Sequence, residues 1–186
     1  MRIISGKLKG KKISFISSSE TRPLRDYVRE NIFNIIDHRE KFKINLEKSN
    51  ILDLYSGVGS FGIECLSRYL CNVVFVEKHP LAYSNLKKNI IKLKLTNRVK
   101  IISEDTKNYL NKFNHENKFD LIFLDPPYKD ISFLSVITLI KEKKIFNKNH
   151  KIIIHRERDC KEMFDDYLKV DLEKNYGRSK IIFGSF

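Results

Sequence analysis

The fold is decided by one stretch near residue 50, which reads ILDLYSGVGSFG from Ile51 to Gly62. Its apolar start predicts a strand, and Gly57, Gly59 and Gly62 have the G-x-G-x-x-G spacing that leads a strand into a helix in nucleotide-binding folds. Taken alone, this spacing indicates a nicotinamide dinucleotide. Asp53 favours a different cofactor, because a carboxylate at the strand end disfavours a pyrophosphate and suits a ligand with positive charge.

S-adenosylmethionine is such a ligand, since it carries an ammonium and a sulfonium group and no phosphate. Glu77, at the end of the next strand, is placed to bind ribose hydroxyls, and Asp105, past the third strand, to accept a hydrogen bond from the adenine amino group. A helix N-cap remains an alternative for Asp105, and a solvated strand end for Glu77. The residues expected to bind the cofactor are Asp53, Tyr55, Ser56, Gly57, Gly59, Glu77, Asp105 and Thr106.

Strand and helix patterns alternate along the rest of the chain. Apolar runs predict strands at about 50–54, 72–77, 98–102, 119–124 and 150–155. Helical patterns follow them near 60–69, 80–94, 106–113, 131–143 and 158–167. The end differs, because Asp166–Lys174 and Arg178–Phe183 are joined by the hairpin signal Asn175-Tyr176-Gly177. The pattern predicts an α/β fold with a mostly parallel seven-stranded sheet that ends in an antiparallel hairpin, which distinguishes it from ordinary dinucleotide-binding folds.

Residues 1–20 are expected to form a basic β-hairpin, and residues 21–186 the methyltransferase domain. Arg2–Gly6 and Lys11–Phe15 flank a turn that contains Lys7 and Lys9. A helix is predicted from Thr21, with Pro23 in its first turn, to about His38.

The sequence LDPPY ends the predicted fourth strand and contains Asp125, Pro126, Pro127 and Tyr128. Ligands of open α/β sheets bind at the carboxyl ends of the strands, so this turn and the glycine loop are expected to share one crevice. A carboxylate and a backbone carbonyl could hold the two N–H groups of an amine, and Tyr128 offers a face for an extruded base. The alternative is a rigid turn without a chemical role.

No strong general base is visible beside Asp125 in the sequence. We expect none to be needed, because a methylated ammonium is acidic enough to lose its proton to solvent. The residues expected to act on the target amine are therefore Asp125, Pro126, Pro127 and Tyr128.

The net charge of +13 is concentrated in the first half of the chain. Residues 1–100 hold 20 Lys and Arg against 9 Asp and Glu, whereas residues 101–186 hold 16 against 14. This asymmetry suits a nucleic acid on one side of the molecule, although a biased genome composition would also enrich lysine. The three cysteines match no zinc spacing, so no metal site is expected. No signal peptide or membrane helix is visible, which indicates a cytoplasmic protein.

These motifs together resemble the RsmD family, the bacterial guanine-N2 methyltransferases of 16S ribosomal RNA. The similar segments include MRIISGKLKGKK, TRPLRDYVRENIFNII, LDLYSGVGSFGIECLSR, VVFVEKHPLA, FDLIFLDPPY and NYGRSKIIF. The resemblance implies a Rossmann-like class I methyltransferase fold, S-adenosylmethionine as methyl donor and N2-methylguanosine as product. It also places Arg22, Pro23, Asp26 and Arg29 over the cofactor and substrate mouth. The sequence departs from the family at Leu24 and Arg25, where small polar residues are usual, and near His155, where an acid is frequent.

Three other functions remain open from the sequence. A DNA amino-methyltransferase would use the same chemistry, but the chain leaves no sizeable domain for reading bases. A nicotinamide-dependent oxidoreductase would use the glycine loop, but Asp53 and the missing second domain oppose it. An RNA-binding assembly factor without catalysis would not need Asp125–Tyr128. The expected partner is ribosomal RNA within the small subunit or an assembly intermediate, bound by Lys7, Lys9 and the rest of the hairpin, and the expected state is a monomer.

Overall fold

The computed structural model describes residues 1–15, 24–42, 44–114, 117–130 and 132–186. The strands are β1 Asn50–Leu54, β2 Asn72–Val76, β3 Val99–Ile102, β4 Phe119–Leu124, β5 Phe146–Glu157, β6 Lys169–Tyr176 and β7 Ser179–Ser185. The α-helices are α1 Asp26–His38, α2 Ser60–Arg68, α3 Pro80–Lys92, α4 Thr106–Asn111 and α5 Phe133–Lys143. Short 3₁₀ turns cover Glu40–Phe42, Thr96–Arg98 and Phe164–Asp166. No helix in these ranges is long and apolar enough to cross a membrane.

The sheet has the strand order β3-β2-β1-β4-β5-β7-β6. Strands β1 to β5 are parallel, and β7 is antiparallel to both of its neighbours. The predicted α/β fold, with a mostly parallel seven-stranded sheet and a terminal antiparallel hairpin, is confirmed. The chain order reverses between β1 and β4, so a crevice opens at the carboxyl ends of these two strands.

Each face of the sheet has its own hydrophobic core, because successive side chains of a strand point to opposite faces. Ile51, Leu121 and Phe123 belong to the core under α1, α2 and α3. Leu52 and Leu124 belong to the core under α4 and α5. Strands β1 and β4 are buried on both faces, which explains why they are continuous apolar runs in the sequence.

Two predicted helices differ from the structure. The first helix begins at Asp26, and the predicted N-cap Thr21 lies outside the described residues. The helix predicted at 158–167 is wrong, since only the 3₁₀ turn Phe164–Asp166 forms there. Strand β5 continues to Glu157 because its last three residues pair with β7. In the segment that follows, Phe164 is buried, but the segment has no series of apolar residues at helical spacing.

The N-terminal segment forms a narrow hairpin that packs on α2. The Ile3 N–H donates to the Lys11 carbonyl at 3.0 Å, and the Ile13 N–H donates to the Met1 carbonyl at 3.1 Å. Ile3 and Ile13 are buried in the same core as α2 and α3. The division of the chain at residue 20 stays a prediction, because residues 16–23 lie outside the described part.

Candidate active site

The glycine loop closes the crevice between β1 and α2. Gly57 and Gly59 have φ angles of 56° and 85°, in the left-handed region that favours glycine. The Gly57 N–H donates to Glu77 Oε2 at 2.7 Å, and the Ser56 hydroxyl donates to the Asp53 carbonyl at 2.5 Å. The Ser56 hydroxyl therefore ties the loop to its strand, while the backbone of the loop faces the cavity.

Asp53 lies behind the loop and is only 1% exposed. Its Oδ2 accepts a hydrogen bond from the Gly62 N–H at 3.0 Å, and it is not among the residues that line the cavity. Burial raises the pKa of Asp53 well above its ordinary value, the bond from Gly62 opposes this, and the nearby carboxylates Asp125 and Glu77 raise it further. The expected direct contact between Asp53 and a cofactor is therefore not supported.

Glu77 and Asp105 follow β2 and β3. Glu77 is 9% exposed and lines the cavity, with Oε2 bound by the Gly57 N–H and Oε1 by the His79 N–H at 2.7 Å. An ionised carboxylate has about four acceptor sites, so Glu77 can also accept bonds from ribose hydroxyls. Asp105 caps α4 by accepting from the Lys107 N–H at 2.9 Å, which is the alternative that the sequence left open.

The cavity has a volume of about 820 Å³ and connects the glycine loop to the proline turn. Volumes of about 300–1,000 Å³ are usual for ligand sites. Tyr55 and Thr106 lie near the loop end, and burial raises the pKa of Tyr55. Phe15 and Leu24 also line the cavity, and sequence reasoning missed both. Within the described part of the chain, no cluster of His, Cys, Asp and Glu could hold a metal ion.

The electrostatics of the cavity suit a cation at the glycine-loop end. Asp53, Glu77 and Asp125 lie close enough that the last two raise the pKa of the first. A positively charged ligand would offset this repulsion, whereas a pyrophosphate would add to it. The residues present therefore fit S-adenosylmethionine better than a nicotinamide dinucleotide.

The proline turn presents different backbone carbonyls to the protein and to the cavity. Arg156 donates to the Pro127 carbonyl at 2.9 Å and to the Tyr128 carbonyl at 2.8 Å. No hydrogen bond among the described residues uses the Pro126 carbonyl. The turn therefore leaves that carbonyl and the Asp125 carboxylate as acceptors at the end of β4.

Arg156 is a buried anchor for this turn. Its guanidinium is 1% exposed, lies 4.3 Å from the ring centroid of Phe133 and donates to Glu162 at 2.5 Å. One planar group thus links two carbonyls, a carboxylate and an aromatic face, a combination that the point charge of lysine cannot reproduce. Sequence reasoning missed this residue, because nothing local distinguishes it from a solvated arginine at a strand end.

His155 is the other residue at the turn that sequence reasoning left without a role. Its Nδ1 lies 2.7 Å from Asp125 Oδ1, and its Nε2 lies 2.9 Å from Ser179 Oγ and 3.2 Å from the Tyr128 hydroxyl. The sequence showed no strong general base beside Asp125, whereas the structure places the His155 imidazole there. That no base is needed stays a prediction. The position of His155 at the carboxyl end of β5, the strand beside β4, was a signal that could have revealed it.

The predicted mouth residues are not brought together. Arg29 is fully buried, with its Nη2 3.0 Å from Asp26 Oδ1 and its Nε 3.5 Å from Glu64, and neither Arg29 nor Asp26 lines the cavity. Lys7 is bound through its N–H to the Ser67 carbonyl, so the hairpin tip with Lys7 and Lys9 lies at the C-terminal end of α2. The nine-residue helix separates that tip from the glycine loop by about 13 Å. Arg22 and Pro23 lie outside the described residues.

The assignment of Asp26 and Arg29 to the mouth therefore needs correction, and Lys7 and Lys9 do not lie at the mouth either. Arg29 and Asp26 join the hairpin to α1, since Arg29 also donates to the Arg2 carbonyl at 2.5 Å. Lys7 and Lys9 are exposed, but on a surface away from the cavity. No local sequence pattern reveals that Arg29 is buried beside two carboxylates, or on which side of the molecule the lysines of the hairpin lie.

The sequence profile of the family described as conserved hypothetical protein 95, the RsmD family, matches residues 1–185. The chain belongs to this family. A relative named ribosomal RNA small subunit methyltransferase D, from Buchnera aphidicola of Baizongia pistaciae, is 40% identical over 84% of this chain and 76% of its own length. A putative rRNA methyltransferase of Bacillus subtilis is 34% identical over 86% of this chain and 84% of its own.

A solved structure shows the same architecture. The putative methylase from Haemophilus influenzae superposes with a TM-score of 0.78 at 26% identity, and the match covers 98% of this chain and 96% of that one. The shared fold and the extent of the sequence match agree with the strand order and the glycine loop described above.

Proposed function

We propose that this chain transfers a methyl group from S-adenosylmethionine to the exocyclic N2 amine of a guanine in 16S ribosomal RNA of the small subunit. The observation that carries the proposal is the single cavity in which the Asp125–Tyr128 turn faces the glycine loop. A cluster of carboxylates at one end suits a cationic cofactor, and two acceptors at the other end suit an amine. The relatives named ribosomal RNA small subunit methyltransferase D support the reaction and the class of substrate.

The cofactor would lie along the glycine loop. When bound, S-adenosylmethionine supplies a methyl group that its sulfonium makes reactive. Glu77 would accept bonds from the ribose hydroxyls, the Gly57–Gly59 backbone would contact the amino-acid part, and Tyr55 and Thr106 would line the other side. Asp53 would favour the cation through its buried charge, while Asp105 at the N-cap of α4 would meet the adenine edge.

The proline turn would hold the target amine. The exocyclic amine of guanine is a poor nucleophile, because its lone pair is delocalised into the ring. Asp125 and the Pro126 carbonyl would accept its two N–H groups, which orients the nitrogen and stabilises the positive charge that develops on it. Pro127 would keep the backbone of the turn rigid, and the Tyr128 ring would stack on the extruded base.

RNA would be held mainly through its phosphates. The hairpin exposes Lys7, Lys9, Lys11 and Lys12, of which Lys7 and Lys9 lie at the end of α2 that is far from the glycine loop, and such side chains bind phosphate without reading sequence. We infer that a folded small subunit or an assembly intermediate is the substrate, because contacts at that distance from the cavity require RNA of defined shape. We also infer that the enzyme acts as a cytoplasmic monomer.

The test is a methyl-transfer assay with labelled S-adenosylmethionine and small subunits from cells that lack this enzyme, followed by digestion to nucleosides. Label in N2-methylguanosine is the expected result. Asp125→Ala should abolish transfer while RNA binding stays unchanged, and the exposed Asp165→Ala should match the wild type in both.

Parallel reactions with naked ribosomal RNA and duplex DNA separate the alternatives. Label in a DNA base would replace the proposed substrate with DNA. Equal rates on naked RNA and on subunits would contradict the inference about the assembled particle. Binding of subunits and cofactor without any label would contradict catalysis and favour an assembly factor.

A further inference from the structure

The imidazole of His155 connects the catalytic turn to the antiparallel hairpin of the sheet. It lies at the end of β5 and is 7% exposed. One ring nitrogen contacts Asp125, the residue after β4, and the other contacts Ser179 on β7 and the Tyr128 hydroxyl. A side chain with both ring nitrogens engaged in this way has a defined orientation, and that orientation is transmitted to Asp125.

The contacts assign the proton on the ring. An ionised carboxylate only accepts hydrogen bonds, so the 2.7 Å contact between Nδ1 and Asp125 Oδ1 places a proton on Nδ1. In the neutral ring Nε2 is then an acceptor, and the Ser179 hydroxyl donates to it. A hydroxyl can also accept, so the same network accommodates a second proton on Nε2 once the serine hydroxyl rotates.

We propose that His155 is a positioning residue that engages Asp125 Oδ1 and directs Oδ2 to the target amine. This inference rests on the proposed function. In the reaction the nitrogen forms a bond to the methyl carbon as the carbon–sulfur bond breaks, and sulfur keeps the electron pair. The nitrogen loses one proton to Asp125 Oδ2, and that proton then leaves to solvent.

The charged groups beside His155 have partners of their own. On the same strand, Glu157 is 3.1 Å from Arg178, which precedes β7, and Arg156 is bound to Glu162. Across the crevice, Glu77 is bound by two backbone N–H groups. Asp125 is thus the carboxylate that the His155 ring engages.

The test compares His155→Asn and His155→Phe with the wild type in single-turnover methyl transfer at pH 8. An asparagine amide can donate to Asp125 from near the position of Nδ1, whereas a phenyl ring cannot. His155→Asn should therefore keep the rate within about threefold of the wild type, and His155→Phe should be about a hundredfold slower.

Two further readouts make the outcomes distinguishable. Cofactor affinity should be the same in all three proteins, since His155 acts at the amine. In the imidazole ¹⁵N spectrum of the wild type, Nδ1 should carry the proton, whatever the substrate. A rate of His155→Phe equal to that of the wild type, or a ring protonated on Nε2 alone, would overturn the proposal.

The two proposals can fail separately. If the wild type modifies RNA and His155→Phe is equally fast, the role of His155 is refuted and the proposed function stands. If the wild type modifies no RNA, the proposed function fails, and the ¹⁵N spectrum still tests the arrangement of the ring. Should His155→Phe not fold, the rate of His155→Asn and the ¹⁵N spectrum decide.

Discussion

Glu64→Gln is expected to destabilise the protein by removing the charge that holds the N-terminal hairpin on α2. Glu64 is fully buried, and each carboxylate oxygen serves two groups. Oε1 accepts from the Ser5 N–H and from Arg68 Nε, both at 2.9 Å. Oε2 accepts from the Ile4 N–H at 2.9 Å and lies 3.5 Å from Arg29 Nε.

The cost follows from this geometry. A glutamine amide in either orientation turns an NH₂ group toward one of these pairs of donors, so about two interactions are lost. Charge-assisted hydrogen bonds contribute about 1.5–3 kcal/mol each, and breaking a buried ion pair costs about 3–5 kcal/mol. We therefore expect the free energy of unfolding to fall by about 3–5 kcal/mol, a large part of the roughly 5–15 kcal/mol of a typical domain.

Urea denaturation at pH 7 measures this difference, with Glu47→Gln as the matched control. Glu47 also accepts a backbone N–H, from Leu70 at 2.9 Å, but it is exposed, so its substitution should cost less than about 1 kcal/mol. A loss below about 1 kcal/mol for Glu64→Gln would refute the assignment of Glu64 as the acceptor that holds the hairpin.

Three further predictions concern the proline turn, the residue behind the glycine loop and the contact of His150 on β5 with Phe186. Arg156→Lys should lower kcat about tenfold to a hundredfold with unchanged cofactor affinity, because lysine cannot hold both turn carbonyls, while the exposed Arg158→Lys should have no effect on kcat in the same assay. Burial and nearby like charges raise the pKa of Asp53 in the folded protein, so its ionisation lowers stability as the pH rises above about 3.9, the pKa of an aspartate in the unfolded chain. Asp53→Asn should therefore unfold at a higher urea concentration than the wild type at pH 8. Titration calorimetry should show that the same variant binds the cofactor more weakly. Burial lowers the pKa of His150, whose Nε2 accepts from the Phe186 N–H at 3.0 Å. Stability should therefore fall as the pH drops below about 6.5, the ordinary pKa of histidine. His150→Gln should remove this contribution to the pH dependence of the unfolding temperature. An unchanged slope would contradict the neutral state of His150.

Much of the fold could be predicted because its signals are local. Strands β1 and β4 have the predicted bounds, since apolar runs of that length between turn residues are typical of strands buried on both faces. The helix at 158–167 could not be predicted correctly, because β5 is extended by its pairing with β7, a strand more than twenty residues away. Whether a helix can start after β5 depends on where the pairing of β5 with β7 ends, and the local sequence does not show where that is.

Some assignments at the candidate site could be predicted from local sequence, and others could not. The turn at Asp125–Tyr128 and the glycine loop were expected to share a crevice, and both line one cavity. Asp53 and Arg29 were expected to face ligands, but they are buried behind the loop and under the hairpin. Burial of a charged side chain depends on partners such as Glu64 and the Gly62 N–H, which lie far along the chain or in the next element.

The sequence by itself determined the order of strands and helices, the glycine loop and the proline turn. These follow from backbone propensities and hydrophobic periodicity within a few residues, which act wherever the chain lies in space. Only the tertiary structure decided which strand lies beside which. By placing β5 next to β4 and β7 next to β5, it brought His155 to Asp125 across 30 positions of sequence, and Ser179 to His155 across 24. Such contacts depend on the lateral pairing of the whole sheet, and their chemistry becomes visible only when that pairing is known.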